Sequence, residues 1–253
     1  MKKNSSAKFV VVILLVLGVI GVLLATQLND RIESSAKKTY VFTTYLKHDN
    51  IKIKTSDDSV VTLTGTVSQW SHRALAKEAV AGLPGVKKVN DNLEFKGAQP
   101  AENSDGWIAI KVKTMLMFHR NLSFLKTDVE VKNGTAILGG KATSEAQKEL
   151  TTEYVRDVDG VTKVVNNMTI EKEGKNPIET VSDFMDDASI IAQVKLALLS
   201  HRSTNAIKTV VESKDGVVTL KGVAKNSAEK DLVNKLVNDI KGVKSVKNEM
   251  TIG

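Results

Sequence analysis

The chain has 253 residues, 42% of them hydrophobic, and 36 Lys and Arg against 29 Asp and Glu give a formal charge of +7 and a pI of about 9.3. That is room for two or three small domains of globular composition. The absence of cysteine excludes disulfides, thiolate metal sites and lipid-modified cysteine. Scattered basic residues and 4% aromatics offer no stacking platform for nucleic acid.

The N-terminus opens with "MKKNSSAK", which carries Lys2, Lys3 and Lys8 and no acid, and continues as an uncharged apolar run from Phe9 to Ala25. Seventeen residues make a helix of roughly 25 Å, and "TQL" extends it to about 30 Å, enough to cross a bilayer. Residues 1–28 are expected to be a signal anchor or a signal peptide. The positions before Ala25 make a poor small-x-small cleavage site, which favours a retained anchor spanning residues 9–28 over a cleaved leader. The basic flank stays in the cytoplasm, so the rest of the chain is expected on the far side of the membrane, in the periplasm.

Beyond this segment the sequence repeats. "GVKKVNDNL" (85–93) returns as "GVTKVVNNM" (160–168) and "GVKSVKNEM" (242–250). Each copy follows a strand-like landmark ending in Gly, at Gly65, Gly140 and Gly222, and the two glycines stand 20 residues apart in all three copies. A constant internal spacing held three times defines a structural repeat.

In chain order each unit begins with a helix. Asp105, Ile108, Val112 and Leu116 match Asp187, Ile190, Val194 and Leu198. The first copy is weaker, with Asn29, Ile32, Ala36 and Tyr40, and Lys37, Lys113 and Lys195 occupy one equivalent place. Two β-branched, alternating strands follow, joined by Asp-Asp-Ser, Asn-Gly or Asp-Gly, residues suited to a tight hairpin turn. A second helix starts at a Ser, Thr or Asn cap candidate and stops at Gly85, Gly160 or Gly242, with one apolar face (Leu232, Leu236, Val237 and Ile240 in the third copy). A last strand returns to the sheet.

The predicted architecture is therefore α+β: an N-terminal transmembrane or signal helix, then three tandem α-β-β-α-β modules over residues 29–97 (divergent), 105–171 and 187–253. Linkers over 98–104 and 172–186 separate them. One such unit has little core, so the modules are expected to pack on one another, although the second linker is long enough for independent motion. Their formal charges are +3, zero and +4, and the linkers together carry −3. This modest basic excess suits an anionic lipid or polymer without proving either.

The landmarks "GVVTLKG" (216–222) and "GVKSVKNEM" (242–250), with the helix closing at Gly between them, resemble the BON domain, the bacterial OsmY and nodulation module. The third copy is the cleanest match, and the first has Ser59 where the others have Gly. The resemblance covers residues 29–253. It implies exported α-β-β-α-β modules associated with envelope integrity or osmotic stress, proposed to bind phospholipid, with no catalytic residues and no cofactor. Three modules plus an anchor depart from the one or two usual in the family.

The residues agree with a non-enzymatic reading. His48, His72, His119 and His201 lack metal-ligand spacing and are expected in surface loops, and His119–Arg120 and His201–Arg202 are paired by the repeat itself. Asp57–Asp58 and Asp186–Asp187 are expected as turn and cap residues. The candidate site is the first helix of the second module, "DGWIAIKVKTMLMFHR", which is more apolar than one core contact needs. Two readings stand. The surplus packs against a neighbouring module, or it meets a membrane, with Trp107 and Phe118 entering the headgroup region and Lys111 and Lys113 meeting phosphates. The expected partners are an anionic phospholipid surface or, from another class, a second copy or an envelope protein bound by a structural scaffold; nucleic acid is not expected.

Overall fold

The computed structural model describes residues 29–56, 58–97, 100–122, 126–171, 185–204 and 209–253. The expected span over residues 9–28 lies outside them, and no helix among the described residues is long and apolar enough to cross a membrane.

Three copies of one unit follow in order. The first module contains α1 (residues 29–38), a π-helical turn at Val41–Tyr45, β1 (Asn50–Thr55), β2 (Val60–Val67), α2 (Trp70–Ala81) and β3 (Lys88–Phe95). The second contains α3 (Asp105–Phe118), β4 (Thr127–Lys132), β5 (Thr135–Ala142), α4 (Glu145–Arg156), β6 (Lys163–Asn166) and β7 (Thr169–Ile170). The third contains α5 (Asp187–Ser200), β8 (Thr209–Lys214), β9 (Val217–Ala224), α6 (Ser227–Asn238), β10 (Ser245–Asn248) and β11 (Thr251–Ile252).

In each sheet the hairpin's second strand is central. It pairs antiparallel with the strand before it and parallel with the strand or strands that follow the second helix. Alternation places Ala136, Leu138 and Ala142 of β5 inside, and Val218, Leu220 and Ala224 of β9 likewise. The expected tight turns form with positive φ at Asn133 and Gly134 and at Asp215 and Gly216, which suits a type I′ connection. Asp105 accepts hydrogen bonds from the Asn133 and Gly134 amides at 2.7 and 2.9 Å, and Asp187 repeats this with Asp215 and Gly216 at 2.8 and 3.0 Å. In modules 2 and 3 the first residue of the first helix thus holds its own hairpin turn. Although burial opposes its ionisation, these amides and the Ser213 hydroxyl hold Asp187 below the ordinary carboxylate range.

The repeated strand glycine has a steric origin. Gly140 has φ of 92°, and a Cβ there would run into the Lys126 carbonyl just before β4; Gly65 is placed the same way against Asn50. The second helices of the later modules are capped as their sequences suggest. Ser144 accepts from the Gln147 amide and Asn226 from the Glu229 amide, while the Gln147 and Glu229 side chains reach back to the amides of Thr143 and Lys225, a capping-box arrangement. In the first module the helix begins at Trp70 and its N-cap is Gln69, which makes no side-chain cap bond; Ser68 instead donates its amide to Asp49 at 2.7 Å.

The modules do not stand apart as the second linker's length allowed. One apolar core runs through modules 1 and 3 and takes in Met117 and Phe118 of module 2, whose own sheet covers a second core. At its centre lies α5, on which only Asp187, Lys195 and Leu199 escape burial. A helix apolar on every side needs neighbours on every side. Its neighbours are β8 of its own module, α3 of module 2 and α2 of module 1. The α2 terminus comes so close at Gly82 that a Cβ there would sit 3.2 Å from the Ala188 Cα. Each Leu, Ile or Val so buried contributes about 1.5–3 kcal/mol.

Candidate functional site

The four expected lipid-contact residues share α3 or its immediate surroundings but not one surface. Phe118 is 1% exposed and meets Tyr45 of module 1 edge-on at 5.9 Å, so this ring is not available to a membrane. Lys111 has an 11% exposed side chain and gives its Nζ to Asp159 at 2.6 Å. Lys113 is exposed. Trp107 is half-buried, its ring 6.2 Å from that of Trp70. The surplus apolar surface on the C-terminal half of α3 is therefore covered by modules 1 and 3, the first of the two readings; the N-terminal end, with Trp107, keeps partial exposure.

At that end an aromatic cluster crosses from module 1 to module 2. Trp70, in the first turn of α2, lies 6.4 Å from Phe95 at the end of β3, and the Arg73 guanidinium sits 5.4 Å over the indole. Asp91 holds Arg73 through its Nε at 2.7 Å. All three residues are intermediate in burial. Trp70, Phe95 and Arg73 were not singled out from the sequence. The available signal was that both tryptophans of the chain open a helix, and only the packing of module 1 shows that these two helices start side by side.

The joint between modules 2 and 3 is reciprocal. The Arg120 amide donates to the Asp239 carbonyl, and the equivalent Arg202 amide donates to Asp157. The Lys241 amide donates to Phe118, and that of Asp159 to Ser200. Bridges join His119 to Ile240 and Val158 to His201. Each arginine then closes on the other module's helix-ending turn. Arg120 donates to the carbonyls of Asn238, Ile240 and Val243 at 2.6, 3.0 and 2.7 Å, and Arg202 to those of Val158 and Val161 at 3.4 and 2.9 Å. A guanidinium at these positions binds carbonyls at the end of, and in the turn after, each second helix, two of which (Ile240 and Val158) also accept from the turn's own amides, and it complements the negative end of the helix dipole. The His-Arg pair is thus the fastening of one module to the next.

The histidines correct the surface-loop expectation. Only His48 is exposed; His72, His119 and His201 are buried. His72 bonds through Nδ1 to Asp49 at 2.6 Å and links the start of β1 to α2. His119 lies 4.0 Å from the Tyr154 ring, and the Tyr154 hydroxyl donates to Asp239 across the joint. Burial pushes His119 down to about 4 and lowers His201 as well. Burial also raises Tyr154, helped by its bond to Asp239, and lowers Lys241, whose Nζ donates to the Met117 carbonyl at 2.8 Å. These shifts arise at a packed joint. Among the described residues no group of three or more His, Asp or Glu could hold a metal ion.

The BON domain family matches residues 29–97, 104–172 and 186–253, so the chain belongs to the BON-domain family. It is similar to osmotically-inducible protein Y of Escherichia coli strain K12, with 32% identity over 194 residues, 75% of this chain and 92% of that protein. It is also similar to an uncharacterized protein in the gshII 5′ region of Anaplasma centrale, with 27% identity over 56% of this chain and 90% of that one. Two structures of CdsD, a structural protein of the type III secretion system of Chlamydia trachomatis, overlap 84% of this chain. They cover 90% and 95% of their own chains at 16% and 18% identity, with TM-scores of 0.23 and 0.22.

Proposed function

We propose that this protein is a non-enzymatic envelope component of the osmotic stress response that rests on an anionic phospholipid surface. The contact is the junction of modules 1 and 2, where Trp107, Trp70 and Phe95, each partly exposed, gather beside Arg73. That cluster is the observation that carries the reading. Amphipathic rings settle at headgroup depth while neighbouring cations stay with the phosphates. Each Lys or Arg near such a surface contributes roughly 1 kcal/mol, weakened by salt, and Lys113 on α3 adds one such charge. Lys111 and Phe118, already committed inside the molecule, drop out of the contact. The similarity to an osmotically inducible protein and the export-type N-terminus support a periplasmic place, held to the inner membrane by residues 9–28 or soluble after cleavage. A retained anchor would make the contact intramolecular, so weak affinity suffices.

The chain has only two tryptophans, and both belong to the cluster, so its intrinsic fluorescence reads the proposed contact directly. Residues 29–253 are titrated with vesicles of zwitterionic lipid and of mixed anionic lipid, at low and high salt. The expected result is a blue shift and protection from acrylamide with anionic vesicles only, weakened by salt and reduced by Arg73→Gln. Unchanged emission alongside absent co-sedimentation on every vesicle would remove the lipid reading.

A second reading, a structural scaffold, is favoured by the burial of α5 among three modules. In that case exposed Leu199, Val210 and Val223 would meet a protein partner or a second copy. Native mass at several concentrations separates the two readings, because a concentration-dependent oligomer lost on Leu199→Glu supports the scaffold.

A further inference from the structure

We propose that the joint between modules 2 and 3 is an acid-labile latch, in which protonation of His119, together with His201 opposite it, releases the two modules while each remains folded. The geometry carries this. Both histidines lie where the chain leaves one module's first helix and enters the other's helix-ending turn. His119 is 2% exposed, and its Nδ1 has no hydrogen-bond partner; the Nε2 of His201 is likewise buried and unbonded. Neutral imidazoles suit this place. An imidazolium must donate from both nitrogens, and the closed joint gives His119 no acceptor for the second.

The charges facing His119 come from every side of the joint. From its own segment there is Arg120, from α4 there is Tyr154, and from the turn after α6 there are Asp239 and Lys241, with His201 beyond. Asp239 favours a proton on His119, but its carboxylate already accepts from Tyr154, while Lys241 and Arg120 repel one. The Tyr154 ring offers some attraction to a cation, while burial is the largest influence on His119 and opposes its charge. His201 faces Arg202 and the half-exposed Asp157, 3.9 Å from its Nε2. A proton on His201 is thereby partly compensated, so His119 contributes most of the effect.

The sign follows from proton linkage. A released histidine titrates at its ordinary value of about 6.5 and binds protons that the closed joint refuses. Closure is therefore at full strength above pH 6.5 and weakens as pH falls from there toward 4. Lowering pH from 7.5 to 5.0 should raise the open-to-closed ratio about 30-fold through His119 alone.

Hydrogen exchange on the full chain reads that ratio. The amides of Arg120, Asp159, Arg202 and Lys241 cross the joint, while those of the β4–β5 and β8–β9 hairpins lie within modules. After correction for intrinsic rates, the four joint amides should together lose about 30-fold protection between pH 7.5 and 5.0, with hairpin amides unchanged. His119→Gln should remove most of that loss, and His119→Gln with His201→Gln nearly all of it. If His119→Gln does not fold, His119→Phe keeps a buried ring without a titratable nitrogen. Joint amides that stay as protected as the hairpins at pH 5.0 would overturn the latch. So would a double variant that loses protection as the natural chain does.

Discussion

Helices α3 and α5 occupy the same place in two copies of one repeat. Each is 14 residues long, starts at an Asp and runs into a His-Arg pair, and each fastens to the other's module by equivalent backbone bonds. Their surroundings differ because module 1 covers the pair unevenly. On α3, Met117 is 5% exposed and Phe118 meets Tyr45; at the matching positions of α5, Leu199 is 59% exposed and Ser200 is small. Polar contacts are exchanged too. Lys111 of module 2 pairs with Asp159, whereas module 3 has Gln193 and Lys241 at these places, and Lys241 turns to the carbonyl of Met117. Equivalent repeats thus acquire different surfaces from the position of a third.

The largest expected difference within this comparison is at the ends of the two helices. Phe118→Ala should cost about 3–5 kcal/mol in denaturant unfolding, because it opens a cavity between modules 1 and 2. Ser200→Ala removes one hydrogen bond to Leu196 and should cost roughly 1 kcal/mol. Equal losses would mean that module 1 does not rest on Phe118.

Next come Gly160 and Gly242, which lie in the turn four residues past the last residue of α4 and α6 rather than at the helix ends that the sequence suggested. A Cβ on Gly160 would meet Ile108 of α3 at 2.8 Å, and one on Gly242 would meet Met185 at 2.8 Å and Ile190 of α5 at 3.1 Å. Both have positive φ. Alanine at either should cost about 2–3 kcal/mol from backbone strain and crowding together, read as a fall in unfolding midpoint. A near-neutral result at Gly242 would show that Met185 moves aside freely.

Smaller again are the arginine hooks. Arg120→Ala leaves three carbonyls without their donor and should cost about 1.5–3 kcal/mol; Arg202→Ala, with two and one of them at 3.4 Å, should cost less. Exchange at the joint amides should rise in both variants, and more in the first. The smallest effect is expected for Leu199→Ala, within about 0.5 kcal/mol in the monomer.

Much of the fold could be read along the chain because its signals are local. Alternation marked the strands, Asn-Gly and Asp-Gly marked the turns, and glycines at fixed spacing marked the central strand and the turn after the second helix. Trp107 kept its place as a candidate, but its companions changed. Phe118 and Lys111 look like surface residues on an isolated helix and become interior ones when Tyr45 and Asp159 arrive from elsewhere in the chain. His119 and His201 were misplaced for the same reason, whereas His72 is buried inside its own module against Asp49. A loop end at the edge of one module is solvent-exposed until a second module closes over it.

By itself the sequence determined three α-β-β-α-β units and their turn chemistry, since hydrophobic period and backbone preference act over a few residues. Only the tertiary structure decided which helix is central, which histidines are dry and which aromatics stay at the surface. Those outcomes depend on where distant modules bury one another's apolar faces, and an amphipathic pattern states that a face must be covered without naming what covers it.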